Sequence, residues 1–436
     1  MRTVKWNPVL AGTCMMVGGV LLWAGAARAD VTTTNPSAIL IYPKLVVDVT
    51  ATTRTVASPS GLTGVQQEDT LVELTNTSPG PVNLRCFLVN ANGHCSQGGA
   101  ICDPQGPTQP TGCGSCTPGW LETDFSLTLT GNQPIAWRVS DGIEVTSDEP
   151  TLPCDPSSND SCRGQFSNGS IPPANEIPLL RGELKCIEVD GFDSDNPLNS
   201  NDIKGEATIE RFDTTPAVDI EGYNAIGIQA AFVCHGGVND GVPCLSVADT
   251  SCADSTSATP PVCGPTNNTL VLGGTGGDYN GCPNVILLDS FFDGAVDPTV
   301  VGNTIHTHLT LVPCTENFNL QSCATTVVQY LVFNEFEQRL STSNRVTCFS
   351  EVVLSDIDTH PGTTDDKLSI FNVALQGTLT GQTQLRSLSE GLVGIAQQFE
   401  DDGGLGFSAA LNLHERGIRS ASDVITLSNG PGATTP

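Results

Sequence analysis

The 436-residue chain predicts an all-β fold, two tandem antiparallel β-sandwich domains carrying disulfide-rich loop insertions. Three observations carry that expectation. Short runs alternate apolar and polar residues with a period of two. Turn-forming dipeptides recur between the runs: Asn92-Gly93, Asp141-Gly142, Asn168-Gly169, Asp190-Gly191, Asn280-Gly281 and Asp293-Gly294. No window sustains the 3.6-residue apolar period of an amphipathic helix.

Taken in chain order, residues 1–29 read as a secretory leader. Arg2 and Lys5 supply positive charge, an apolar run follows from Val9 to Ala24, and Ala27-Arg28-Ala29 offers small residues for cleavage. The run is shorter than the ~20 residues that span a bilayer. Cys14 follows Thr13 rather than a small Gly, Ala or Ser, which argues against lipid attachment. Removing the leader takes away Arg2, Lys5 and Arg28, leaving fifteen of the 18 basic residues against 47 acidic ones. A surface so acidic repels nucleic acid and anionic lipid, whose phosphates need Lys and Arg to displace counterions. No integral membrane segment is expected after cleavage, and the expected location is secreted, periplasmic or cell-surface.

The strands follow. In TDFSLTLTG (123–131), Phe125, Leu127 and Leu129 share one face and Ser126 and Thr128 the other. In NTIHTHLTLV (303–312), Ile305, Leu309 and Leu311 do the same. Internal matches then suggest a duplication. PKLVVD (43–48) answers PNVILLD (283–289), TLVELTN (70–76) answers THLTLVP (307–313), and VNLRCFLVN (82–90) answers TVVQYLVFN (326–334). Further on, GELKCIEVDG (182–191) is matched with GLVGIAQQFEDDG (391–403), and KGEATIE (204–210) with GFSAALNL (406–413). The expected layout is a first sandwich over 38–232 with cysteine-rich loops near 91–119 and 141–178. A cysteine-rich insert covers 233–282, and a second sandwich covers 283–428. About seven strands per copy are expected, with outer faces of Thr, Ser, Asn and acidic residues.

Sixteen of the 17 cysteines lie beyond the leader, an even number that in an exported chain reads as up to eight disulfides. Most sit in Gly- and Pro-rich loops such as CSQGGAICDPQGPTQPTGCGSC (95–116). Cys95, Cys102, Cys113 and Cys116 have the number and chemistry of a tetrahedral zinc site, but an oxidising compartment favours disulfides. The segment CHGGVNDGVPCLSVADTSCADSTSATPPVC (234–263) resembles short C-x-G-G-x-N-D-G-x-x-C repeats of bacterial secreted and surface proteins. That resemblance implies a disulfide-closed extracellular loop. The segment LVELTNTSPGPVNLRCFLV (71–89) resembles the central hairpin of bacterial immunoglobulin-like surface domains. It implies an extracellular structural or adhesive module and transfers no catalytic residue.

Chemistry is sparse. The chain lacks the nucleophile-elbow, phosphate-loop, zincin and deaminase motifs. His306 and His308, at i and i+2, project from one strand face as a chelating pair would, the competing reading being a solvated outer face. The loop DGFDSDNPLNSND (190–202) presents Asp190, Asp193, Asp195 and Asp202 as oxygen ligands for Ca²⁺, although Pro197 interrupts any helix-loop calcium motif. Glu335 and Glu337, with Asp356 and Asp358, form a possible carboxylate set for glycoside hydrolysis, while Phe333 and Phe336 read as core anchors. The expected function is a non-enzymatic structural or interaction protein of the bacterial cell exterior, without a cofactor and with an unidentified protein or surface partner. The alternatives are a calcium-dependent adhesion protein and a secreted hydrolase.

Overall fold

A computed structural model describes residues 31–427 apart from 49–66, 103–108, 147–148, 153–169, 177, 213–216, 245–251, 253–260, 266–267, 275, 297–303, 358, 360–368, 374–375, 402–405 and 418–420. Residues 1–30, which include the expected leader, and 428–436 therefore lie outside the described ones. Regular structure is almost all strand, and helical content is limited to 3-10 turns, of which Leu354–Asp356 makes one complete turn. Among the described residues, no helix is long and apolar enough to cross a membrane.

Nine strands between Ile39 and Ile228 form one hydrogen-bonded sheet. Its path runs Ala217–Asn224, Ile203–Phe212, Gln67–Asn76, Ile39–Asp48, Leu179–Val189, Val82–Asn90, Leu121–Leu129. Ile226–Ile228 also pairs with Ile39–Asp48, and Pro134–Arg138 with Gln67–Asn76. The path is continuous only because Asp48 pairs with Glu68, the single register pair between those two strands. On either side of that joint lie two layers, of five and four strands. Their facing side chains, among them Leu40, Tyr42, Leu74, Leu84, Phe125 and Ile209, bury one core. Cys86 and Cys186, cross-strand neighbours inside it, are joined as a disulfide.

The second half uses two five-stranded sheets. One runs Arg339–Thr347, Thr325–Asn334, Gly381–Ser387, Val285–Phe291, His414–Glu415. The other runs Ala295–Val296, Thr304–Pro313, Leu392–Asp401, Gly406–Asn412, with Ser350–Val353 beside Thr304–Pro313. Ile286, Leu309, Tyr330, Leu385 and Ala396 belong to the core between them.

The two halves repeat one pairing pattern in the same chain order. Ile226–Ile228, Ile39–Asp48, Leu179–Val189, Val82–Asn90 and Leu121–Leu129 occupy the places of His414–Glu415, Val285–Phe291, Gly381–Ser387, Thr325–Asn334 and Arg339–Thr347. Pro134–Arg138, Gln67–Asn76, Ile203–Phe212 and Ala217–Asn224 occupy those of Ser350–Val353, Thr304–Pro313, Leu392–Asp401 and Gly406–Asn412. The first three sequence matches fall on strands of equal place. The last two fall one strand late: Leu179–Val189 answers Gly381–Ser387, and Ile203–Phe212 answers Leu392–Asp401. Each pattern has nine strands among the described residues, two more than expected.

One outer face departs from the polar expectation. Ile39, Ile41, Phe87, Val89 and Ile187 point away from the first core yet are buried, in a second apolar cluster. It is covered by the cysteine-rich insert and by a small sheet of Thr269–Leu272, Asp423–Thr426, Glu316–Asn317 and Ser322–Cys323. Phe87 stacks on Phe318 at 4.0 Å between ring centroids, and Trp120 stacks on Phe318 at 5.6 Å. Such pairs add to simple area burial. Six further disulfides are Cys95–Cys113, Cys102–Cys116, Cys234–Cys252, Cys244–Cys263, Cys282–Cys314 and Cys323–Cys348. Cys154 and Cys162 lie outside the described residues.

Candidate functional site

The most unusual chemistry lies where the halves meet, and it begins with one proline. Pro43 has no N–H to give a ladder, and the strand Ile39–Asp48 slips register between Tyr42 and Leu45. The slip turns Lys44 out of the first core, toward the face of the second half formed by Thr304–Pro313 and Leu392–Asp401. There Lys44 Nζ donates to Glu351 Oε1 at 2.8 Å and to Gln397 Oε1. Arg181 Nε lies 3.8 Å from Glu351 Oε2. The Lys44 ammonium and Arg181 guanidinium hold the Glu351 carboxyl down at about 2, against the opposing effect of burial.

Arg211 forms the next part of the seam. Its Nε donates to Glu68 at 2.8 Å, Nη1 to Asp219 at 2.9 Å, and Nη2 to Glu221 at 2.7 Å. Nη1 also donates to Ser408 of the second half, and the guanidinium carbon stands 4.4 Å from the Phe399 ring centroid. Glu221 accepts from Gln397 Nε2 as well, and burial pushes its pKa up despite the neighbouring cations. Two strand edges are tied beside it. Asn412 Nδ2 donates to the Asn224 carbonyl at 2.8 Å, and the Asn224 N–H donates to Asn412 Oδ1 at 3.0 Å.

A second ionic cluster sits under the small sheet. Lys185 Nζ lies 2.6 Å from Glu183 and 2.7 Å from Glu316, and all three side chains are at most 1% exposed. Burial and the Glu183 carboxylate drive the Glu316 carboxyl well above its ordinary value. One ammonium therefore serves two acids, of which Glu316 favours its protonated form.

The sequence-predicted residues are distributed around this seam. His308 lies opposite Gln397 in the strand ladder and is only 3% exposed. Its ring is 4.2 Å from that of Phe399, and neither ring nitrogen has a hydrogen-bond partner. Burial first, then the Lys44 charge, lowers its pKa and keeps the imidazole neutral. The solvated-face reading therefore fails for His308, because the other half covers that face. His306, two residues earlier, is 28% exposed and its Nδ1 is 3.1 Å from Asp293 Oδ1.

In the acidic loop, Asp190 accepts from Ser194 and Asn196, while Asp195 turns back to lie 3.7 Å from Arg85 Nε. Asp193 adopts a φ of 57°, and Asp202 donates its N–H to Glu188 at 2.7 Å. Among the described residues, the groups of three or more His, Cys, Asp or Glu with ligand atoms within 4.8 Å are two cysteine sets. Their cysteines are all in disulfides, as is Cys116, the fourth weighed for zinc. Glu335 is exposed and accepts from the backbone N–H groups of Leu379, at 2.8 Å, and Thr380. Glu337 sits in the same turn at a φ of 59°, Asp356 is in the 3-10 turn, and Asp358 lies outside the described residues. Phe336 is 67% exposed and anchors no core, since the turn closing on Asn334 carries it outward.

Lys44, Gln397, Glu351 and Glu221 were invisible to motif reading because their elements lie far apart in the chain. The one local signal was Pro43-Lys44 within a strand, in a chain with only four lysines beyond residue 29. No protein-family model, no curated protein and no solved structure matches this chain.

Proposed function

We propose that the chain is an exported, non-enzymatic structural or interaction protein of the bacterial cell exterior. On this reading the leader 1–29 is removed and the mature protein is a duplicated pair of immunoglobulin-like sandwiches. The recurring nine-strand pairing order supports the duplication, and the seven disulfides support an oxidising destination.

One observation carries the functional part: the charged side chains that converge do so in a covered seam rather than at an open surface. Lys44, Arg85, Lys185 and Arg211 are all buried, and each is paired with a carboxylate. Buried carboxylates outnumber those buried cations, and the exterior stays strongly acidic because the composition is so rich in Asp and Glu. Such a surface suits solubility and selective protein contacts. The buried pairs suit a fixed register between the halves, since a buried charge network specifies geometry more than it adds stability.

The test is fractionation of producing cells, sequencing of the mature amino terminus and titration of thiols. The expected result is an external protein beginning at Asp30, with no free thiol before reduction. A cytosolic chain with reactive thiols would overturn the localisation. Steady turnover of chromogenic glycosides or esters by the pure protein would overturn the non-enzymatic reading.

A further inference from the structure

One sheet has the same place in both halves, yet its outer face is covered in the first and open in the second. In the first half, the covering segments answer what points outward. Phe318 stacks on Phe87 at 4.0 Å, Glu316 lies 2.7 Å from Lys185, and Asp195 lies 3.7 Å from Arg85. In the second half, the strand ladder sets Arg345 opposite Val327, Ser341 opposite Leu331 and Arg339 opposite Phe333. Further in, Arg386 stands opposite Val285 and Gln384 opposite Leu287. Their sequence neighbours Val328, Tyr330 and Leu385 fill the core, so by strand alternation this set faces outward. Val285, Leu287, Val327, Leu331 and Phe333 remain partly exposed, whereas Ile39, Ile41 and Phe87 of the first face are buried.

Charge marks the open face as well. Arg339, Arg345 and Arg386 lie on it, joined by Arg416, which follows His414 by two residues and donates its N–H to the Val285 carbonyl at 2.8 Å. These are four of the 18 basic residues in a chain with 47 acidic ones, and all four are exposed. Among the described residues none of the four is ion-paired. The acid on this face, Asp289, is matched with His414 at 3.1 Å. The arginines are spread over the sheet rather than gathered at a point, with apolar side chains between them.

We propose that this face docks an acidic segment of a partner protein, whose carboxylates meet the arginines and whose apolar side chains cover Val327, Leu331 and Phe333. Charge complementarity selects the acidic partner. The first half shows the kind of cover such a sheet takes: a polypeptide that brings a carboxylate, Glu316, and an aromatic ring, Phe318, to a cation and a ring. Arginine suits the task because its planar fork pairs with carboxylates at two points while its stem packs on apolar surface. An acidic polysaccharide would satisfy the charges and leave the apolar stripe uncovered. A second copy laid face to face would set arginine against arginine. Such docking rests on the interaction role proposed above and gives the partner its chemistry.

The test uses the full mature protein and a fluorescent peptide that alternates glutamate with leucine and phenylalanine, its binding followed by anisotropy. Binding is expected, weaker as salt rises and absent when the glutamates are replaced by glutamine. Arg345→Glu with Arg386→Glu should weaken it by at least about tenfold. Both side chains are exposed, so an unchanged melting temperature confirms that the variant is folded. Leu331→Ser with Phe333→Ser should weaken it too. Equal binding of the glutamine peptide, or indifference to the arginine reversals, would overturn the docking face. Binding of sodium alginate that depends on the arginines but not on Leu331 and Phe333 would replace the protein partner with an acidic polysaccharide. Sedimentation showing self-association that the arginine reversals abolish would replace it with a second copy. A cytosolic location would overturn export without touching this binding, and an exported chain that binds no peptide would lose only the docking face.

Discussion

The loops and the seam hold this protein by different means. In the loops, sulfur does the tying: Cys95–Cys113 and Cys102–Cys116 cross over one another, and Cys234–Cys252 and Cys244–Cys263 repeat the same crossed order. These close segments whose own apolar content is too small to hold the backbone, and they act by restricting the unfolded chain. Between the halves the ties are buried charged side chains: the ion pairs Lys44 to Glu351 and Lys185 to Glu316, and the Arg211 hydrogen bond to Ser408. Those act on two surfaces that are already folded. Their desolvation cost consumes much of the attraction, so what they set is which side chain meets which. Sulfur restrains the loops; charge sets how one half sits on the other.

The sharpest way to break that contrast is at Lys185. Replacing it with Met leaves Glu183 and Glu316 facing each other without their cation, in a site where both are almost wholly buried. The expected loss is about 3–5 kcal/mol in chemical denaturation, the usual effect of orphaning a buried charge. Changing Glu183 and Glu316 to apolar residues of similar volume as well should recover most of it. A triple variant as weak as the single one would mean that the pairs contribute net stability rather than register.

Next in size is the core disulfide. Cys86–Cys186 links neighbouring strands and closes a separation of 100 residues, against 14 for Cys102–Cys116. Replacing both core cysteines with Ala should lower stability by about 2–5 kcal/mol. Removing the loop pair should leave the main denaturation midpoint nearly unchanged while making residues near 95–116 sensitive to protease. Equal losses at the two sites would show that the loop is part of the cooperative unit.

How far this was legible beforehand follows from the range over which each signal acts. Strand identity is local, and the runs 70–76, 82–90 and 326–334 all lie within observed strands, Gln67–Asn76, Val82–Asn90 and Thr325–Asn334. Period-2 alternation reports that a residue leaves one core; it is silent on whether a second layer waits outside. His308 therefore reads as solvent-facing although it is buried opposite Gln397 in the ladder, and nothing in the pattern marks Ile41 or Phe87 as buried beneath a second layer. The strand matches failed at 391–403 for a related reason. Gly381–Ser387, mostly polar in GQTQLRS, is a central strand whose buried face is Thr383, Leu385 and Ser387. A hydrophobicity match skips such a strand and aligns its neighbour instead.

pH separates Glu351 from the acids that burial raises by sign. Burial raises Glu122 to about 8, Glu188 to about 7 and Asp69 to about 6. The folded state binds those protons more tightly than the unfolded chain. Their contribution is therefore complete below the unfolded values and is lost as pH rises through about 6 to 8. Glu351, held at about 2, acts in the opposite sense: its contribution is present above its unfolded value and is lost as pH falls toward 2. Each tenfold difference in proton affinity between the folded and unfolded chain is worth about 1.4 kcal/mol, so the melting temperature should peak at about pH 4, near the unfolded carboxylate values, and fall on both sides. Glu122→Gln should flatten the alkaline side alone. A melting temperature that climbs steadily from about pH 5 to 8 would contradict these burials.

The smallest expected effect concerns calcium, and it bears most directly on the adhesion alternative. Asp195 lies against Arg85, and Asp190 is engaged by Ser194 and Asn196, so a cation recruiting Asp190, Asp193, Asp195 and Asp202 together must first displace those partners. Millimolar Ca²⁺ is accordingly expected to leave the melting temperature unchanged. A ligand present at a hundred times its dissociation constant would add about 2.7 kcal/mol, a rise that melting readily detects. A rise matched by Mg²⁺ would be screening of the acidic exterior. A rise specific to Ca²⁺, reversed by chelator and lost in Asp193→Asn with Asp195→Asn, would move the functional surface from the seam to this loop and favour calcium-dependent adhesion.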